Sequence, residues 1–276
     1  MRTWMLTAAC GLVLCVGCGP KQPWATADRM QRGLVVVLPG IEGRQSGLAD
    51  SIAEGLDQGG VNWAIEIQDW TSGWGVLYNL RAEDRNRLKA QELSHRIRRY
   101  QIAYPARPVV LVGQSGGGAI AVWTAEALNP DQRIEGILLI NVALSRDYSL
   151  LRALDHTERG IVSFYSPRDW MLLGVGTTMY GTMDGRHAIS AGMEKFRAPA
   201  ADRPAAYARL FEIGWSKEMA RTGHPGLHVT SAAKDFVARY IAPLVLADAW
   251  NAKNIEAIRK DLPDISGTPT TSPEDF

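Results

Sequence analysis

Apolar positions along this chain fall into two alternating rhythms. Continuous runs rich in valine, isoleucine and leucine occur at residues 33–38, 61–67, 108–113, 134–141 and 160–165, with a weaker run at 207–213. Runs of that length and β-branched content predict strands buried on both faces. Between them the apolar positions space out at three and four residues. Leu48, Ile52 and Leu56 predict a helix over 46–58, which Gly59 and Gly60 end. Ala90, Leu93, Ile97 and Tyr100 lie on one face of a long helix over 81–100. A further helix spans 118–128, broken by Asn129-Pro130, and a last one spans 231–241, with Pro243 kinking it or starting a short one at 244–250. Strand and helix in alternation predict an α/β fold with a mainly parallel sheet. Residues 166–206 are irregular and glycine-rich, and residues 263–276 have the Pro, Thr, Ser and Asp content of a frayed end. No internal repeat and no linker divides the pattern.

Composition narrows the functional classes. The chain is 46% hydrophobic and 21% charged, a globular balance that excludes a disordered chain. Lys plus Arg number 30 against 29 Asp plus Glu, so there is no basic excess of the kind nucleic-acid binding requires, and no such partner is expected. All 3 cysteines (Cys10, Cys15 and Cys18) precede residue 19, which rules out a disulfide framework or zinc–cysteine site in the folded body. No metal motif such as H-E-x-x-H occurs, and no cofactor is expected.

The start of the chain has the pattern of an export signal. Arg2 precedes an apolar stretch over 4–17, shorter than the roughly 20 residues a spanning helix needs. Cys15-Val-Gly-Cys18 resembles a bacterial lipobox, which implies removal of residues 1–17 and a lipidated Cys18 as the first mature residue, hence an exported, membrane-anchored envelope protein. An ordinary cleaved signal and an uncleaved anchor are the alternatives. The expected organisation is a tether over 18–32, one domain over 33–250 and a tail over 251–276.

The segment that carries chemistry is Gly113-Gln114-Ser115-Gly116-Gly117. It matches G-x-S-x-G, follows a buried strand and opens a helix, the strand–turn–helix context of a nucleophile elbow. The turn strains the serine backbone, so its neighbours must be small, and the following helix presents free N–H groups and the positive end of its dipole. Neither G-x-G-x-x-G nor the phosphate loop G-x-x-x-x-G-K-[ST] is present.

On Leu38-Pro-Gly40, Gly113 to Gly117, Asp169 and His228, the chain resembles the α/β-hydrolase superfamily, specifically its lipase- and esterase-like serine hydrolases, over roughly residues 33–245. The resemblance implies a parallel sheet flanked by helices and a triad in the chain order Ser, acid, His. Ser115 is then the nucleophile. The histidine is expected in the loop before the final helix, where His228 precedes Thr230, a candidate N-cap, and His224 is the alternative. The acid is expected just past the fifth strand, at Asp169, with Asp147 and Asp184 as alternatives. Backbone N–H groups of Gly116 and Ile41 would form the oxyanion hole. The stretch 166–204 would serve as a modest lid, since the 18 or so residues between strands four and five leave no room for a cap domain.

The implied function is hydrolysis of ester-type acyl bonds in a small-molecule ester or a lipid. An acyltransferase using the same triad and a non-catalytic envelope protein that kept the fold are the alternatives. Trp70 and Trp74 either line the pocket or pack. The basic residues Arg85, Arg87, Lys89, Arg96, Arg98 and Arg99 are expected on a solvated helix face, with contact to anionic headgroups as the sharper reading.

Overall fold

A computed structural model of the chain describes residues 22–260. Among them, six strands form one sheet: β1 (Leu34–Leu38), β2 (Ala64–Ile67), β3 (Val109–Gln114), β4 (Ile134–Ile140), β5 (Thr157–Tyr165) and β6 (Leu210–Gly214). Their spatial order is β2-β1-β3-β4-β5-β6, and every neighbouring pair is parallel. This is the helix-flanked, all-parallel sheet that the alternation of strands and helices implied.

Parallel strands need a crossover between them, and the intervening helices provide it. A short α1 (Ala27–Met30) precedes β1, and α2 (Leu48–Gln58) links β1 to β2. α3 (Val76–Arg81) and the long α4 (Glu83–Ala103) lead to β3, and α5 (Gly116–Glu126) leads to β4. α6 (Leu151–Asp155) precedes β5, and α7 (Thr177–Tyr180) lies in the excursion before β6. Side chains alternate across the sheet with the period of two that strands impose. Leu34, Val36, Leu38 and Leu111 pack with Leu93, Ile97 and Trp123 of α4 and α5. Val35, Val37, Val110 and Val112 face the other way, against Ile52 and Leu56 of α2 and residues 236–245. β1 and residues 109–112 of β3 are apolar at every position because both faces of the sheet are covered there.

Several boundaries differ from the sequence expectation for local reasons. β2 starts at Ala64 because Val61 is spent closing α2, its N–H donating to the Leu56 carbonyl at 3.0 Å. β5 begins at Thr157, where the polar residues Glu158 and Arg159 obscure the strand signal. The last helix is not continuous. A 3₁₀ turn at Val229–Ala232 gives way to α8 (Lys234–Phe236), a π-helical turn at Val237–Ile241 and α9 (Ala242–Leu246). The π turn sits where Pro243 has no N–H to continue the ladder. Thr230 is no N-cap: its hydroxyl donates to the Leu227 carbonyl.

The packed body extends past both expected ends. Within the stretch expected as tether, Gln22 is bonded to Ile67, Trp24 packs on the α2 side of the sheet, and the Met30 carbonyl accepts from the Tyr100 hydroxyl. Past residue 250, Asn251 caps α10 (Ala252–Arg259), which buries Ile255 and Ile258. Two apolar residues three apart were too weak a pattern to show this. The signal, Cys18 and residues 261–276 lie outside the described residues. No described helix is long and apolar enough to cross a membrane.

Candidate active site

The carboxyl ends of β3, β5 and β6 lead into the loops that carry the expected triad. At the end of β3 the backbone turns through Ser115 at φ 54°, ψ −122°, a region that residues with a Cβ rarely occupy. The conformation is held from both sides. The Ser115 N–H donates to the Ile140 carbonyl at 2.9 Å, and its carbonyl accepts from Gly118 and Ala143. The neighbours must be glycine because chain passes so close. A Cβ on Gly113 would stand 2.5 Å from the Gly117 carbonyl oxygen, and one on Gly117 would stand 2.2 Å from that of Leu38. α5 therefore starts directly under β1 and aims its N-terminus at the serine.

The acid and the histidine are in contact. The His228 Nδ1–H donates to Asp169 Oδ2 at 2.6 Å, with both residues buried. That bond fixes the tautomer and leaves Nε2 as the free ring nitrogen. The Ser115 hydroxyl makes no hydrogen bond to the ring within 3.5 Å in this structure, a contact that often tightens only with substrate in place. Two loops are laced together to hold the pair. The Ser166 hydroxyl donates to the Gly226 carbonyl at 2.6 Å, joining the acid loop to the histidine loop, and the Ser231 hydroxyl donates to the His228 carbonyl.

The alternatives are placed elsewhere. His224 is buried against Phe236, its ring 4.6 Å from that ring, and Nδ1 meets the Thr230 hydroxyl at 3.1 Å. Burial pushes its pKa down to about 4, so it is neutral at physiological pH. Asp147 is exposed. Asp184 binds the Ser145 N–H and hydroxyl and the Thr182 hydroxyl, a turn-holding role.

The expected oxyanion donors lie beside the serine. A Cβ on Gly40 would be 3.4 Å from Ser115 Cβ, and one on Gly116 would be 2.7 Å from Ile41 Cγ2. Among the described residues, neither the Ile41 nor the Gly116 N–H is bonded to a protein acceptor. The loop carrying Ile41 is anchored from three directions. Trp70 Nε1 donates to the Pro39 carbonyl at 2.7 Å, Asn79 Nδ2 donates to the Ile41 carbonyl at 2.9 Å, and the Arg44 N–H donates to Asp69 at 3.0 Å. Burial pushes the Asp69 pKa up, but hydrogen bonds from the Arg44 and Thr71 N–H groups and the Thr71 hydroxyl outweigh it and hold the carboxyl below its ordinary value.

Several residues here carry no sequence signal. Asn141, at φ 47°, turns its amide onto Asp169 Oδ2 at 2.8 Å. Gln114 is fully buried with neither amide atom bonded, beside a Glu42 oxygen in the same state, and both lie against Gly40. An asparagine after a strand and a glutamine inside the elbow give a sequence reader nothing to weigh. Trp70 packs within the site while Trp74 is 83% exposed, which separates two residues that the sequence treats alike. The basic face of α4 is partly neutralised: Arg87 pairs with Glu83, Lys89 with Glu92 and Arg96 with Glu66.

No family model and no curated protein matches the chain. Among solved structures, it is similar to a proposed hydrolase of the α/β superfamily from Xanthomonas campestris pv. campestris. That likeness has 20% identity and a TM-score of 0.37, and covers 75% of this chain and 96% of that one. A proposed cell surface hydrolase from Lactobacillus plantarum shares 13% identity over 85% of this chain and 99% of that one, at a TM-score of 0.47. A lipase-esterase related protein from Clostridium acetobutylicum shares 10% identity over 75% of this chain and 80% of its own, at a TM-score of 0.34. Overlaps this loose carry nothing about chemistry, which rests on the geometry above.

Proposed function

We propose that this chain is a serine hydrolase of ester-type acyl bonds, working through an acyl-enzyme. The observation that carries the reading is the buried Asp169–His228 hydrogen bond, in loops on the same face as a strained elbow serine. In this mechanism His228 Nε2 takes the Ser115 proton as the oxygen attacks the carbonyl carbon. Asp169 holds the ring and favours its cation. The uncommitted N–H groups of Ile41 and Gly116 receive the developing oxyanion, each donor worth on the order of 3 kcal/mol in the transition state. His228 then protonates the leaving alcohol, and a water, deprotonated by the same nitrogen, releases the acid. The mechanism calls on no cofactor. The lipobox-like start adds the proposal that the chain is exported and anchored through Cys18.

The test is a panel of p-nitrophenyl esters of increasing acyl length, run with a fluorophosphonate probe. Saturable hydrolysis together with one probe adduct on Ser115 is the expected result. Hydrolysis that survives full probe occupancy, or no adduct at all, overturns the reading. Product analysis with added alcohol separates hydrolysis from acyl transfer.

A further inference from the structure

Exposed apolar side chains gather around the site. Trp74 and Leu77 follow β2, Trp170 and Met179 follow the acid, and Leu227 and Val229 flank His228, all exposed. The segments belong to one face. α3, which carries Leu77, is tied to the Ile41 carbonyl through Asn79, and Arg81 Nε reaches the Tyr180 carbonyl of α7 at 3.5 Å. Trp170 is next in chain to Asp169. Exposed apolar side chains clustered on one face, unlike ones scattered singly, mark an interaction surface.

The path of the N-terminal chain points to what covers it. Gln22 is bonded to Ile67 in both directions, its amide to the Ile67 carbonyl at 3.1 Å and the Ile67 N–H to its side-chain oxygen at 2.6 Å. Ile67 is the last residue of β2, and the Ile65 N–H donates to the Trp24 carbonyl. Residues 22–24 therefore run antiparallel to β2, which puts Gln22, the first described residue, at the carboxyl end of the sheet. That is the end from which the Trp74 loop and the catalytic loops emerge. Cys18 lies four positions before Gln22. Four residues span at most about 14 Å when fully extended. A lipid anchor on Cys18, or an uncleaved apolar stretch just before it, would therefore tether a bilayer within about 14 Å of Gln22, at this end of the sheet.

We propose that the rim around the site docks on the membrane that the N-terminal segment anchors. Trp74, Leu77, Trp170 and Leu227 then enter the boundary between headgroups and acyl chains, where tryptophan is favoured. The site opens onto lipid, so its substrates are acyl esters resident in the bilayer. That substrate clause rests on the serine-hydrolase reading, while the docking itself does not.

The experiment uses the full chain in phosphatidylcholine vesicles that contain a phospholipid with a photoactivated diazirine in its acyl chain. After illumination, adducts are mapped by mass spectrometry. The expected result is label on residues 74–80, 170–180 and 227–229 and none on Leu88 or Ile102, which are equally bare on α4. Label confined to residues before Gln22, or shared with Leu88 and Ile102, overturns the docking. So do protein–protein crosslinks between two copies of the rim. A second arm compares Trp74→Ser/Leu77→Ser with the parent. Turnover of a vesicle-borne ester should fall about tenfold, and that of a soluble short-chain ester should stay within twofold. Equal turnover of both esters by the variant and the parent overturns the substrate clause. Absence of all ester hydrolysis, with the rim labelled, overturns the serine-hydrolase reading and leaves the docking standing.

Discussion

Asn141 and His228 bind the same oxygen of Asp169, at 2.8 and 2.6 Å. Two donors on one carboxylate oxygen leave it little freedom to turn away from the ring. Asn141 thus positions the proposed acid, set by a backbone in the left-handed region that asparagine and glycine tolerate best. Asn141→Gly keeps that backbone and removes the amide. It should lower kcat about tenfold with little change in KM. Asn141→Asp, which sets a second negative charge against Asp169, should do worse. Steady-state kinetics on one soluble ester checks both, and an unchanged kcat in Asn141→Gly refutes the positioning role.

Ser115→Ala should reduce turnover by on the order of 10⁴- to 10⁶-fold without loss of fold, because the proposed nucleophile goes and only binding and oxyanion stabilisation stay. Fluorophosphonate should label the parent and spare the variant.

Asp169→Asn should lower turnover by on the order of 10⁴-fold, since an amide no longer favours the correct tautomer or the imidazolium. Asp147→Asn, at an exposed position, should leave turnover within twofold of the parent. The reverse ranking of the two variants would move the acid to Asp147.

His224 ties stability to pH. Its folded pKa of about 4 lies below the 6.5 of an unperturbed histidine because burial disfavours the cation. The unfolded chain therefore binds the extra proton first as pH falls. Stability from this group is whole above about pH 6.5, declines through the interval down to about 4, and is flat below it. The loss across the interval is about 3 kcal/mol at about 1.4 kcal/mol per pKa unit. Urea unfolding at pH 7.5, 5.5 and 4.5 should show that slope in the parent and a shallower one in His224→Gln. Parallel slopes in the two proteins would exclude the histidine as their source.

Gly117→Ala places a methyl 2.2 Å from the Leu38 carbonyl oxygen, where only backbone movement could relieve it. Overpacking of this kind costs about 3 kcal/mol. Its urea midpoint should drop well below that of Gly73→Ala, since no atom lies within 4 Å of a Cβ at Gly73.

The alternation of apolar runs with three-and-four spacing was enough to determine a helix-covered parallel sheet, because a strand buried on both faces must be apolar at every position and Leu34–Leu38 is. The elbow was legible for a similar reason. A turn that leaves no room for a Cβ writes its glycines into the sequence, as Gly113 and Gly117 show. The pairing of Asp169 with His228, and the burial of His224 away from both, depended on contacts 59 positions apart in the chain. Local spacing carries no record of such distances. Asn141 onto Asp169, Trp70 onto Pro39 and Asn79 onto Ile41 belong to the same class, joining residues 28, 31 and 38 positions apart. Only when the strands align do the ends of β1, β3, β4 and β5 come side by side, and only then does an ordinary asparagine or tryptophan acquire a partner. Composition and periodicity record what each segment must bury, whereas which polar atoms meet at the end of the sheet is decided by the register of strands far apart in sequence.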